Sequence, residues 1–425
     1  MTANTPNVGV RTLFNPTSTT DVMIANMSTI GGVFTPGVGI DRSYFSPDTP
    51  IAFRTDDSAA LTAIGTDPTS TLFQAVNQII DAGVTATMVA SVPDILATDT
   101  ADQQMAKMVG VGSSWSGAYA LLKAQQETGI RPGLLIAPGF ASQRPGNAAN
   151  PVMAAFDGIC NKLGIAMAIG DAPSASQTAA LTWAADWSAS MNIIGNAQGV
   201  ALEQGGEPVI FDSAASIAAL IVSNDQNMGA PYYNPGNNAL VGILGPSRSV
   251  EFNPSDPSCE ANVLLQGGCN CIVNTAINRI ASNGGTTFWG FLNTYDDPDW
   301  RMINVIRTRK AILDALPRAL LKYAGQNLGV ALVTVIVQSI QAFLNELIAL
   351  PVPALLPGAT VTYDPNLNDA ESLRVGGLVL DANWAETPAL LDLQIYTGGQ
   401  PSSFTILSSE IQAALTQAAV SGTLS

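Results

Sequence analysis

The chain has 425 residues and is 47% hydrophobic, long enough for roughly two to three domains and apolar enough for a large core. Its 17 basic and 33 acidic residues leave a net charge of −16, a sign opposite to that of a nucleic-acid binder. Histidine is absent, which excludes Ser-His-Asp and Cys-His hydrolases and most zinc enzymes. Charged residues make up only 12% of the chain, so few carboxylates and lysines remain for other chemistry. A low-charge chain rich in Gly, Ala and Asn points to extensive protein–protein packing. No basic segment followed by an apolar run opens the sequence, so no signal peptide is expected. The most apolar stretch, Gly329 to Val337, is soon interrupted by Gln338, Gln341, Asn345 and Glu346, so no membrane insertion is expected and the protein is placed in a cytoplasm.

Residues 1–20 read as an arm, in which Val8, Val10 and Leu13 alternate with polar neighbours as a strand would. With no local core to bury them, such a strand suits the sheet of another molecule. Residues 21–100 read as short strands and one helix. Leu72, Val76, Ile79 and Ile80 have helical spacing, and Thr85 to Val92 forms a strand closed by Pro93. Residues 101–290 alternate helix and strand, the pattern of a mostly parallel α/β sheet. A helix from Ser116 to Thr128 stops at Gly129, and a strand Leu134–Ala137 stops at Pro138-Gly139. Next come the helix Val152–Leu163, the strand Ile165–Ile169, a helix carrying Trp183 and Trp187, the strand Pro208–Phe211 and the helix Ser213–Asn224.

Residues 291–405 change to an α+β character, and residues 406–425 form a C-terminal arm. A long helical region from Pro298 to about Leu350 is expected to break near Pro317. Strand candidates are Ala359–Tyr363, Leu373–Leu380 and Leu390–Tyr396, followed by a helix Ser408–Ala419.

Four features invite chemistry. Cys259, Cys269 and Cys271 cluster near a Gly-Gly turn. Without histidine or a paired C-x-x-C, reduced thiols are the default reading, with a disulfide as the alternative; Cys160 reads as a buried hydrophobe. The run Gly110 to Gly117 is Gly- and Ser-rich but lacks the lysine of a phosphate loop. Asp297 before Pro298 fits a helix cap better than a metal site. Arg301, Arg307, Arg309, Lys310, Arg318 and Lys322 face only Asp314 as an opposing charge between residues 301 and 323. They form either a solvated face with local ion pairs or a contact with an acidic partner. No catalytic, cofactor-binding or metal-ligating set emerges.

Three segments in order carry a resemblance. Gly129-Ile-Arg-Pro-Gly-Leu-Leu-Ile-Ala-Pro-Gly139 resembles the strand-and-turn of contractile phage tail sheath proteins. Phe288-Trp289-Gly290, Asp296-Asp-Pro-Asp-Trp300, Asn304-Val305 and Arg307-Thr308 resemble a second signature of that family, and Asn368-Asp-Ala-Glu-Ser-Leu373 with Gly376 and Leu380 a third. The spacing is similar to the compact, P2-like branch. Phe291-Leu292-Asn293-Thr294 departs from it by lacking an arginine, and residues 229–275 match poorly.

The resemblance implies an α/β core of the so-called subtilisin-like type, a C-terminal inner domain and no enzymatic activity or cofactor. It implies copies of the chain stacked as six-subunit rings around an inner tail tube, with baseplate and neck or terminator proteins as further partners. It places the chain in a virion tail assembled in the bacterial cytoplasm. It implies inter-subunit strand addition, for which Val8, Val10, Leu13, Val375, Leu378 and Leu380 are the candidates, and tube or neighbour contact, for which Arg307, Arg309 and Lys310 are the candidates. A tailocin or secretion-type device is the near alternative. A carboxylate-only α/β enzyme, which needs two acids at strand ends facing one cleft, is the distant one.

Overall fold

The computed structural model describes residues 22–275 and 285–420. The arm candidates Val8, Val10 and Leu13 lie outside the described residues. The chain divides into a large unit ending at Ala389 and a small one beginning at Leu390.

The first part of the large unit runs β1 (Ile30–Val33), β2 (Ile51–Arg54), α1 (Ser58–Ile64), α2 (Thr71–Asp81), β3 (Thr87–Ser91), α3 (Ala101–Val109), α4 (Ala124–Thr128), β4 (Leu134–Ile136), α5 (Pro151–Leu163), β5 (Met167–Asp171), α6 (Gln177–Ala185) and β6 (Ile193–Asn196). It continues with β7 (Val200–Gln204), β8 (Glu207–Phe211), α7 (Ala214–Met228), β9 (Asn238–Ala239), β10 (Gly245–Pro246), α8 (Glu260–Gln266), β11 (Cys269–Asn274) and β12 (Thr286–Trp289). The C-terminal part has α9 (Ile303–Leu320), α10 (Val330–Ile348), β13 (Thr360–Thr362), α11 (Ala370–Arg374) and β14 (Asp381–Asn383). The small unit contains α12 (Pro401–Val420).

Nine strands form one sheet in the order β2-β3-β1-β4-β5-β6-β11-β12-β9. Pairing is parallel from β3 through to β11 and antiparallel at both edges. The sheet is therefore mixed, with a parallel centre, and it joins residues of the expected 21–100 and 101–290 regions in one layer. Alternate side chains feed two cores. Met88, Leu134, Ile136, Met167, Ile169 and Ile272 face the cluster under α2 and α7, while Val89, Leu135, Ala168, Ile193 and Val273 face the cluster under α3, α5, α6 and α8. Both faces are covered, which is why these strands read as continuous apolar runs. A third cluster gathers α9, α10 and the β13–β14 pair around Ile312, Phe343, Leu344 and Leu355.

Several expectations change. The helix from Ser116 is a 3-10 turn, Gly117–Lys123, followed by the short α4, whose cap Gly129 is left-handed as its position requires. Pro317 does not end α9, because its missing N–H falls on the exposed side while Ile312 and Ala315 pack below and Arg318 bonds Asp314 one turn back. The break comes at residues 321–329. α10 is an unbroken 19-residue helix, long and apolar enough to cross a membrane by length and composition. Its buried side chains, from Ile336 to Leu347, line the third cluster. The stretches Leu373–Leu380 and Leu390–Tyr396 are not strands.

Trp183 shows how tightly the sheet is covered. Its indole is fully buried and donates to the Ala141 carbonyl at 2.9 Å. It lies on Gly170 and Gly195, register partners on β5 and β6, where an added Cβ would stand 2.7 and 2.8 Å from the ring. Those glycines make the flat floor on which the ring rests. Trp183→Ala is expected to cost about 3–5 kcal/mol and Gly195→Ala about 1–3 kcal/mol, read as shifts of the urea unfolding curve.

Candidate functional site

The six-cation stretch is the strongest charge feature in the sequence, and α9 carries most of it. The structure turns Arg307 and Lys310 inward and half-buries Arg301 and Arg309. Arg307 is 1% exposed and grips Asp225 of α7 in a two-pronged ion pair, Nη1 to Oδ1 at 2.7 Å and Nη2 to Oδ2 at 2.5 Å. Ser28 Oγ donates to the same carboxylate at 2.6 Å. Lys310 is buried and donates to the Ala166 carbonyl at 2.7 Å and to Asn192 Oδ1 at 2.6 Å. Burial pushes its pKa down. Asn192 in turn donates to Asp157 and Asn161 of α5.

Arg309 lies over the rings of both Trp300 and Trp384, 4.8 and 4.6 Å from their centroids, and donates to Glu386 at 2.9 Å. Arg301 donates to the Gln266 carbonyl. Arg318 bonds Asp314, whose other oxygen accepts from Arg131 at 2.6 Å.

The expected contact surface of Arg307, Arg309 and Lys310 is thereby corrected. An arginine and a lysine taken out of water need partners at fixed positions, and each finds them within this chain. Arg309 is only partly accessible. The cations of the stretch that stay exposed are Arg318 and Lys322, at the end of α9 and just beyond.

The signature residues prove to be structural. Asn304 bonds the Thr387 carbonyl, while Asn293 and Thr294 are buried and bond the Met191, Trp300 and Trp187 carbonyls. Asn368 clasps the turn between Asp364 and Val379 through three hydrogen bonds, and Asp369 caps α11 by accepting from Ser372 N–H at 2.7 Å. Asp297 accepts from Asp299 N–H, with Pro298 first in a 3-10 turn that ends at Trp300. α9 itself begins later, at Ile303.

Val375, Leu378 and Leu380 form no strand, because α11 and the glycine turn at Gly376 and Gly377 occupy that stretch. Val375 is exposed, while Leu378 and Leu380 pack on the third cluster. Cys259, Cys269 and Cys271 form no disulfide; they and Cys160 are buried free thiols. Burial pushes Cys160 and Cys269 up to about 12, so neither is ionised near neutrality. No group of three metal-ligating side chains is present among the described residues.

Acids do stand at strand ends, but not in a cleft. Asp171 closes β5, is 2% exposed, and has both oxygens occupied by donors from Ser213 and Ala214. A carboxylate enclosed in this way offers no oxygen to a substrate.

No family model matches the chain. A prophage protein of Pseudomonas aeruginosa, described as a major tail sheath protein, is 26% identical over 400 residues, covering 91% of this chain and 92% of its own. The tail sheath protein of Escherichia phage P2 is 24% identical over 383 residues, covering 88% and 91%. The chain is a homologue of phage tail sheath proteins. Its fold matches the sheath of an extracellular contractile injection system, PVC, in the contracted state, with a TM-score of 0.67 at 17% identity over 94% of this chain and 99% of that one. In this tail sheath homologue, then, the signature residues bond backbone and charged groups within the same chain.

Sequence reading missed the partners. Asp225, Asn192 and Glu386 lie far along the chain from α9 and carry no local signal. The one available hint was that six cations with a single opposing acid nearby need counter-charges from elsewhere.

The Arg307–Asp225 pair sets a test. Arg307→Leu or Asp225→Leu alone is expected to cost about 3–5 kcal/mol, because each strands a buried charge. The double variant is expected to recover most of that loss in urea unfolding, a non-additive result that a surface contact would not give.

Proposed function

We propose that the chain is the structural subunit of a contractile sheath, polymerising as stacked six-subunit rings around an inner tube and shortening to drive that tube outward, with no catalytic role. The observation that carries this reading is the end-to-end correspondence with tail sheath proteins, over about nine-tenths of both chains. Baseplate and neck proteins are the expected partners at the two ends of the sheath, and a virion tail assembled in a bacterial cytoplasm is the expected location. The likeness to an injection-system sheath supports a second setting, a phage-derived device, for the same subunit. Genes for a capsid and a DNA-packaging motor beside this one would mark the phage setting.

Two features support strand exchange between copies. In the small unit, Leu391, Leu393 and Ile395 alternate with Asp392, Gln394 and Tyr396, and the segment forms no strand of its own. Exposed Leu391, Leu393 and Ile395 share one face and are the residues that such a strand would bury. In the large unit, β13 and β14 form a two-stranded antiparallel sheet that no third strand joins among the described residues, although Gln341 of α10 already bonds Val361 N–H and the Ala359 carbonyl. A lone two-stranded ribbon is marginal, and an added strand from a neighbour completes it. Residues 1–20 are proposed as the second donor. Tube or neighbour contact passes to Arg318 and Lys322, the accessible cations at the end of α9.

Electron microscopy of two proteins tests this. The full chain is expected to form rings or tubes, alone or on its tube. A chain ending at Ala389 is expected to stay as single subunits with an unchanged melting temperature. Equal assembly by both would remove residues 390–425 from the contact.

A further inference from the structure

Between the end of α5 and α9 lies a groove of about 650 Å³. One face of α9 lines it, with Ile306, Lys310, Leu313 and Pro317 at helical spacing. Leu313 and Met191, both lining residues, are 54% and 38% exposed, so the groove offers apolar surface to a partner. Its charge is positive. Arg131 and Arg318 share the carboxylate of Asp314, and Lys310 bonds only neutral oxygens. Lys162, on the last turn of α5, lines the groove, and its ammonium has no partner among the described residues.

The small unit carries a helix of the complementary kind. Phe404, Leu407, Ile411 and Leu415 of α12 follow one another at three, four and four residues and form a single stripe. All four are between 49% and 76% exposed. A lone helix of this length is marginal in water, and burying its stripe is what stabilises it. The only charged residue of α12 is Glu410, at the border of the stripe. The stripe from Phe404 to Leu415 and the groove face from Ile306 to Pro317 each span eleven residues, about 16 Å along a helix. Length, apolar surface and sign of charge therefore match.

We propose that α12 of a second copy lies in this groove, its stripe on Leu313 and Met191 and Glu410 beside Lys162. The inference rests on the assembly reading and adds a helix-in-groove contact to its strand exchange. The two contacts suit one neighbour. Arg309 lines the groove and also lies on Trp384, just past β14. A donated strand ending at Tyr396 on the β13–β14 ribbon leaves residues 397–400 to reach the groove, and four residues span up to about 14 Å.

Cross-linking between copies tests the contact. Full-length chains carrying Leu313→Cys and Ile411→Cys are mixed under oxidising conditions. The native thiols are buried, so a disulfide between the two chains, identified by peptide mass, reports these two positions. Its yield is expected to be several-fold higher than with Ser409→Cys, on the opposite face of α12, in place of Ile411→Cys. Glu410→Lys in the Ile411→Cys chain is expected to lower the yield several-fold, and Lys162→Glu in the Leu313→Cys chain to restore it. Equal yields from Ile411→Cys and Ser409→Cys overturn the proposal. So does a disulfide formed within one chain when both cysteines are placed in it at high dilution. Met191→Cys replaces Leu313→Cys if the latter fails to fold. Electron microscopy of the same mixtures separates the two readings. Rings or tubes without the cross-link overturn the groove contact alone, and the cross-link without rings or tubes overturns the assembly reading alone. Absence of both overturns both.

Discussion

A guanidinium and a carboxylate, both out of water and gripped along two parallel bonds, fix the relation between the sheet and the C-terminal helices. Arg307 and Asp225 come from α9 and α7, 82 residues apart. Such a pair is weak evidence for net stability, since desolvating both ions offsets most of their attraction. It is strong evidence for a unique arrangement, because any other docking of α9 would leave a charge stranded. Lys310 and Arg309 repeat the logic on either side, one reading the backbone before β5 and the other reading Glu386. α9 is therefore located by several independent anchors, and the third apolar cluster fills in around it.

Much of the sheet was legible in the sequence. Strands covered on both faces need continuous apolar runs, and Leu134–Ile136 and Met167–Asp171 carry them. Helix ends were legible where a glycine adopts positive φ, as at Gly129 and Gly164. What failed was local pattern without local cause. Leu373 to Leu380 has the composition of a strand, yet Asp369 caps a helical turn there and Gly376 reverses the chain, so capping chemistry overrides the apolar alternation. Pro317 failed as a helix breaker for the opposite reason, because packing on the buried side outweighs one lost bond.

The site was legible as composition and illegible as geometry. Six cations facing one acid announce that something must neutralise them. Whether the neutralising groups lie on a partner or within the same chain depends on contacts spanning many tens of residues, and sequence spacing does not encode these. The signature motifs behave alike. Asn304, Arg307 and Asn368 are recognisable in the sequence, but only the structure shows that each satisfies backbone or charge inside its own subunit. Of the few charges that the chain buries, Arg307, Asp225, Lys310 and Glu386 all find their partners within it.

The four thiols have a practical consequence. All are buried, and none is paired. The native surface is therefore silent toward thiol-directed reagents, without any cysteine having been removed. A single cysteine placed at an exposed position, such as Val38 on a loop or Phe404 on α12, becomes the one addressable handle on each subunit. Dyes or spin labels attached there report on the surroundings of that one position in an otherwise unaltered chain.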